Sequence, residues 1–119
     1  YHMVVDRFGV ELRTSLKQGP PVHHQRPAVD VMFASIARLQ GVSVVALLLT
    51  GMGADGADGM VALRRSGAET IAEDEHSCVV FGMPKEGIAI GGACEVIHLN
   101  KMTESILKQI SLSGRAQRV

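Results

Sequence analysis

A chain of 119 residues with 46% hydrophobic side chains is long enough for one domain, and with 3% aromatics and no Trp its core must be drawn from Val, Leu, Ile, Ala and Met. The 12 Lys and Arg balance the 12 Asp and Glu, and no run of like charge occurs, which excludes the usual footprints of a nucleic-acid partner or an anionic membrane. No apolar stretch reaches the length of a membrane span, the start lacks a signal-peptide pattern, and Cys78 and Cys94 sit in apolar surroundings without metal-ligand spacing, a pattern that implies reduced thiols and a cytoplasmic protein.

The chain opens on Tyr1 without an initiator Met, and His2 to Val5 already reads as a strand. Asp6-Arg7-Phe8-Gly9 has turn chemistry and Val10 to Ser15 alternates, so a hairpin is predicted. Leu16 to Arg26 is polar, carries Gly19-Pro20-Pro21 and reads as a loop. His23 and His24 lie in it; adjacent side chains diverge and no third ligand is near in sequence, so no metal site is expected. Pro27 suits the first position of a helix, Val29, Met32, Ile36 and Leu39 recur at helical spacing, and Gly41 ends it.

Ser43 to Leu49 is a continuous apolar run, too short for a core helix, and reads as a strand buried on both faces. Thr50, Gly51, Met52 and Gly53 break it, and Asp55 stands where the next helix begins and can cap it. That helix, Ala57 to Ser66, turns Met60, Val61 and Leu63 inward and stops at Gly67. Glu69 to Ala72 is a short strand, and Glu73-Asp74-Glu75 after it reads as a solvated acidic face. Ser77 to Phe81 and Pro84 to Ile90 are predicted as short helices, Cys94 to Leu99 as the last strand, and Lys101 to Leu112 as a closing helix capped by Asn100.

A hairpin followed by alternating strands and helices implies an α/β fold with parallel strand pairing and right-handed crossovers. Three parallel strands make a thin sheet with one bare edge, so the chain reads as half of something larger.

The turn that ends the buried strand has two sharp readings. Gly51-Met52-Gly53-Ala54-Asp55-Gly56 matches a dinucleotide fingerprint, with Glu69, Glu73 or Asp74 placed to hold a ribose. Against this, Asp55 would put negative charge where pyrophosphate approaches, and the strand falls mid-chain instead of opening the fold. In the second reading Asp55 orients a catalytic imidazole and the N–H groups of the turn line an oxyanion hole. A plainer account stands beside both: Asp55 only caps its own helix, and the glycines only permit close packing.

Three blocks carry a resemblance. RPAVDVMF (Arg26 to Phe33), LLLTGMGADGADGM (Leu47 to Met60) and SCVVFGMPKEGIAIGG (Ser77 to Gly92) resemble successive signatures of the chemotaxis protein-glutamate methylesterase family (CheB). The order and spacing of the blocks fit over nearly the whole chain. The resemblance implies a doubly wound, mainly parallel α/β catalytic domain, with this chain as the C-terminal portion of a Rossmann-like three-layer domain. It implies an enzyme that hydrolyses glutamate γ-methyl esters on the cytoplasmic helices of methylated chemoreceptors, releases methanol, and deamidates certain receptor glutamines. It also implies an upstream phosphorylatable receiver domain, no cofactor, Asp55 as the triad acid, the Met52 backbone N–H in the oxyanion hole, and Gly51 and Gly53 in the active-site turn.

The family's nucleophile turn, Gly-x-Ser-Thr-Gly-Gly, and its Gln-His segment do not occur in these residues. Ser35, Ser66, Ser77 and Ser105 sit on or beside predicted helices without a nucleophile-elbow context, and Cys78 has no basic neighbour to activate it. Residues 1–119 are therefore expected to be the C-terminal portion of a methylesterase domain, inactive alone, and Asp55→Asn in the complete protein is expected to cut turnover with little loss of folding. A non-catalytic module that binds receptors or a partner esterase is the alternative, and a dinucleotide-binding domain the further one.

Overall fold

A computed structural model of the chain describes residues 1–117, with side chains through residue 112. It opens with an antiparallel hairpin of β1 (His2–Phe8) and β2 (Glu11–Lys17). Both strands run further than their alternation suggested, since only Gly9 and Val10 form the turn, Gly9 at a left-handed φ of 64°. Helix α1 (Val29–Ala37) follows the loop that holds both histidines. Its N-cap is Ala28 in extended conformation, so Pro27 precedes the helix instead of opening it.

The second sheet is parallel, in the order β3 (Val45–Leu48), β4 (Glu69–Glu73), β5 (Glu95–Ile97). Helix α2 (Ala57–Arg65) joins β3 to β4, α3 (Met83–Ala89) joins β4 to β5, and α4 (Leu99–Gln117) closes the chain. Ser77 to Phe81 is not the helix expected but a run of turns and bends. Helix α4 begins at Leu99, so Asn100 lies within it and does not cap it.

Register decides which strand is central. Val45 pairs with Glu69 and Leu48 with Ala72, and β5 pairs on the other side of β4. Among the described residues β3 has one neighbour, and its burial alternates, Ala46 and Leu48 being buried and Val45 and Leu47 half-buried. The strand covered on both faces is β4, where Thr70, Ile71, Ala72 and Glu73 are all buried although successive side chains point to opposite sides. The apolar core gathers Phe33 of α1, Ala46 and Leu48 of β3, Met60 and Leu63 of α2, and Ala68.

Helices α1 and α2 touch closely because Gly59 has no side chain: a Cβ there would lie 2.5 Å from Phe33 Cβ. The hairpin is tied on by polar bonds. Ser35 Oγ accepts the Val5 N–H at 2.9 Å, and the His2 ring accepts the Ala28 N–H through Nδ1 at 3.1 Å while Nε2 bonds the Pro20 carbonyl at 2.8 Å. His2, buried, is thus a structural clamp.

Candidate active site

The carboxyl end of β3 leads into the turn from Thr50 to Gly56, the edge at which open parallel sheets carry ligands and chemistry. The base of this turn is held by neighbours. Gly51 donates its N–H to the Val80 carbonyl at 3.0 Å, and its own carbonyl accepts the N–H groups of Gly82 at 3.0 Å and Met83 at 2.8 Å. Thr50 Oγ1 accepts the Val80 N–H at 2.8 Å, and the Thr50 N–H reaches Glu73 Oε1 at 2.8 Å. Glu73 is only 1% exposed, so the first residue of the acidic cluster is not part of a solvated face. Register places it at the end of the central strand, where its carboxylate anchors the turn; Asp74 is half-buried and Glu75 exposed.

The tip of the turn is free by contrast. The Met52 side chain is 84% exposed, and among the described residues the Met52 and Gly53 N–H groups are donated to nothing. Gly53 holds a left-handed φ of 93°, which leaves successive amides to face outward without a side-chain penalty. Unspent N–H groups on an anchored backbone are what an oxyanion hole requires.

Asp55 lies at the far side of the same turn, 5% exposed. Its Oδ2 accepts the Val29 N–H at 2.8 Å and its Oδ1 the Asp30 N–H at 3.0 Å. These are orphan amides of the first turn of α1, so Asp55 caps α1 and not its own helix. The N-cap position of α2 belongs to Gly56, at φ 97° and without a side-chain bond, one residue later than the capping account placed it. A carboxylate oxygen can accept two hydrogen bonds, so each oxygen keeps one acceptor direction after serving α1. No histidine among the described residues bonds Asp55; His23 reaches Asp30 instead, with Nε2 2.9 Å from Oδ2. Glu73, one of the carboxylates offered for a ribose, is spent on Thr50.

Asp30 is the site residue that sequence reasoning missed. It is buried, and its Oδ1 accepts the Gly59 N–H at 2.7 Å, bridging α1 to α2 directly beside Asp55. An acidic residue in a first helical turn is ordinary; the signal was Gly59, a poor helix former inside α2 whose amide needed an acceptor. At Cys78, burial above all, then the charge and hydrogen bond of Glu73, push the thiol up to about 11, away from the thiolate that a nucleophile needs. At Asp74 desolvation pulls the other way, but the Ser77 N–H and hydroxyl and the nearby His98 and His76 outweigh it and hold the carboxyl below its usual value.

A small apolar cavity of about 140 Å³, lined by Met3, Pro27, Ala28, Val29 and Met32, adjoins the α1 N-terminus that Asp55 caps. A larger hollow of about 580 Å³ runs along β5 and α4, between Val96, His98, Lys101 and Lys108, and includes no residue of the turn.

The chain has known relatives. The family model described as CheB methylesterase matches residues 1–106. A protein-glutamate methylesterase/protein-glutamine glutaminase of Escherichia coli (strain K12) is 48% identical over 118 residues, 99% of this chain and 34% of that protein. Protein-glutamate methylesterase/protein-glutamine glutaminase 2 of Syntrophus aciditrophicus (strain SB) is 46% identical over 110 residues, 92% of this chain and 32% of that protein. The crystal structure of the Thermotoga maritima CheB methylesterase catalytic domain superposes with a TM-score of 0.84 at 35% identity, covering 94% of this chain and 58% of that one. The chain thus spans about a third of the length of these curated relatives.

Proposed function

The chain belongs to the CheB methylesterase family, and from that premise we propose that residues 1–119 are the C-terminal portion of a methylesterase domain that supplies the acid and the oxyanion donor of a serine-type esterase. The observation that carries the reading is Asp55: a buried carboxylate, fixed by two backbone amides, beside a turn whose Met52 N–H is unspent. The nucleophilic serine and the basic histidine come from outside this sequence.

Serine Oγ attacks the γ-carbonyl carbon of a glutamate methyl ester, and the histidine takes the serine proton. Asp55 accepts the other ring N–H, which sets the tautomer and stabilises the imidazolium. Because α1 already holds both of its oxygens, the carboxylate needs no reorganisation when the charge appears. The Met52 N–H faces the oxygen that becomes negative, with Gly51 and Gly53 shaping the turn around it. The histidine returns its proton to the departing methoxide, giving methanol, and water then releases the glutamate from the serine. A side-chain amide follows the same route with ammonia leaving. The substrates are the methylated cytoplasmic helices of chemoreceptors, the compartment is the cytoplasm, and a receiver domain upstream regulates access; no cofactor takes part.

Methanol release from a methylated receptor fragment tests this. The isolated chain should release none. In the complete protein, Asp55→Asn should lower kcat by about 10⁴-fold with KM little changed, the effect of spoiling the tautomer in such triads. Full turnover by that variant would reduce Asp55 to a helix cap.

A further inference from the structure

Three segments bring metal-ligating atoms together next to Asp55. His23 from the loop before α1, Asp30 from the first turn of α1 and Asp58 from the first turn of α2 place one nitrogen and two carboxylate oxygens within 4.8 Å of one another. The two oxygens of Asp30 are treated differently. Oδ1 is fixed by the Gly59 N–H at 2.7 Å, whereas Oδ2 is sealed from solvent and accepts no hydrogen bond. His23 Nε2 stands 2.9 Å from that oxygen, close enough for an ion pair but without an aligned N–H. Asp30 as a whole is 9% exposed, so the oxygen is buried with the His23 nitrogen beside it and no hydrogen bond to offset the loss of water.

We propose that His23, Asp30 and Asp58 form a zinc site, completed by a water. One imidazole with two carboxylates is a donor set that zinc accepts, with bonds of about 2.0–2.2 Å. Tetrahedral ligands at those bond lengths lie ~3.4 Å apart, so the His23 nitrogen, now 2.9 Å from Asp30 Oδ2, must move outward slightly, while no pair in the group starts more than 4.8 Å apart. His23 and Asp58 are exposed side chains and free to adjust, while Asp30 is held in place. The Gly59 N–H acts as the outer hydrogen bond that orients a metal-binding carboxylate. The imidazole disfavours magnesium and calcium, which prefer oxygen donors. Zinc here would tie the histidine loop, α1 and α2 into one frame around Asp55, since the Asp30 N–H is itself donated to Asp55 Oδ1 at 3.0 Å. The adjacency of His23 and His24 misleads in the sequence: the partners of His23 come from two helices, and His24 is not among them.

Calorimetric titration of the full chain with zinc chloride, paired with its thermal midpoint, tests the site. One equivalent should bind and raise Tm, as any ligand of the native state does. His23→Asn and Asp58→Asn, both at exposed positions, should each weaken binding by at least about 100-fold, beyond what losing an outer partner costs, and abolish the Tm rise. Magnesium chloride should give no heat. Absence of zinc binding, or zinc binding that survives either substitution, overturns the proposal and leaves His23 and Asp30 as an ion pair only.

Discussion

Strands β2 and β4 are both paired, β2 along its whole length with β1 and β4 in part with β3 and in part with β5, yet their surroundings are opposite. From Glu11 to Lys17 only Ser15 is partly shielded, while Thr70 to Glu73 are all buried. The hairpin is held by its turn, its ladder, the buried Val4 and a few polar bonds, between His2 and Ala28 and Pro20 and between Val5 and Ser35. The side chains of β2 mostly face solvent. In β4 the buried positions alternate between the two faces, so packing covers both sides of the strand. The candidate site sits on the packed region, which suggests that its geometry depends less on the side chains in the turn than on what the segments behind it lack. Glycine is the informative residue there.

Substituting into each region tests that contrast. Gly82→Ala should have the largest effect. Its Cβ would lie 2.7 Å from the Gly51 carbonyl oxygen and 3.1 Å from both Gly53 N and Met52 Cα. These are backbone atoms that cannot rotate away, so a loss of about 3 kcal/mol is expected, the upper range for overpacking. Urea denaturation should show a lower midpoint with an unchanged slope. Asp55→Asn comes next. An amide can present its oxygen to only one of the Val29 and Asp30 N–H groups and must aim its NH₂ at the other, a buried mismatch costing about 2 kcal/mol. The same urea experiment checks this, and it revises the expectation from sequence that the substitution spares folding. Leu12→Ser on the hairpin should be smallest. Leu12 is 48% exposed, and a surface change of this kind stays within about 0.5 kcal/mol. A hairpin variant as costly as the Gly82 variant would erase the distinction.

What could be read in the sequence follows the same division. The hairpin, the helices α1 and α2 and the parallel order of β3, β4 and β5 were legible because turn residues and apolar periodicity are local signals. The turn from Gly51 to Asp55 was found by its spacing, and its resemblance to a known family supplied roles that spacing left open. The apolar run at β3 reads in sequence as the strand buried on both faces, whereas the enclosed one is β4. It carries Thr and Glu where a buried strand is expected to be aliphatic, and its pairing on both sides shows in the register alone. Glu73 looked solvated for the same reason: its partner, the Thr50 N–H, lies in another segment. Asp55 was recognised as a cap but assigned to the nearer helix, since nothing local reveals that α1 folds back against it.

The three buried carboxylates around the turn share a property that bears on how the protein is made. Asp55 reaches back 26 residues to Val29, Asp30 forward 29 to Gly59, and Glu73 back 23 to Thr50. Each bond closes a loop of chain whose entropy must be surrendered before the bond can form. Such contacts raise the contact order and are expected to be made late, after local helices and the hairpin have appeared. A peptide from Ser43 to Met60 would contain the strand, the turn and the first turn of α2, and none of the partners that give them shape.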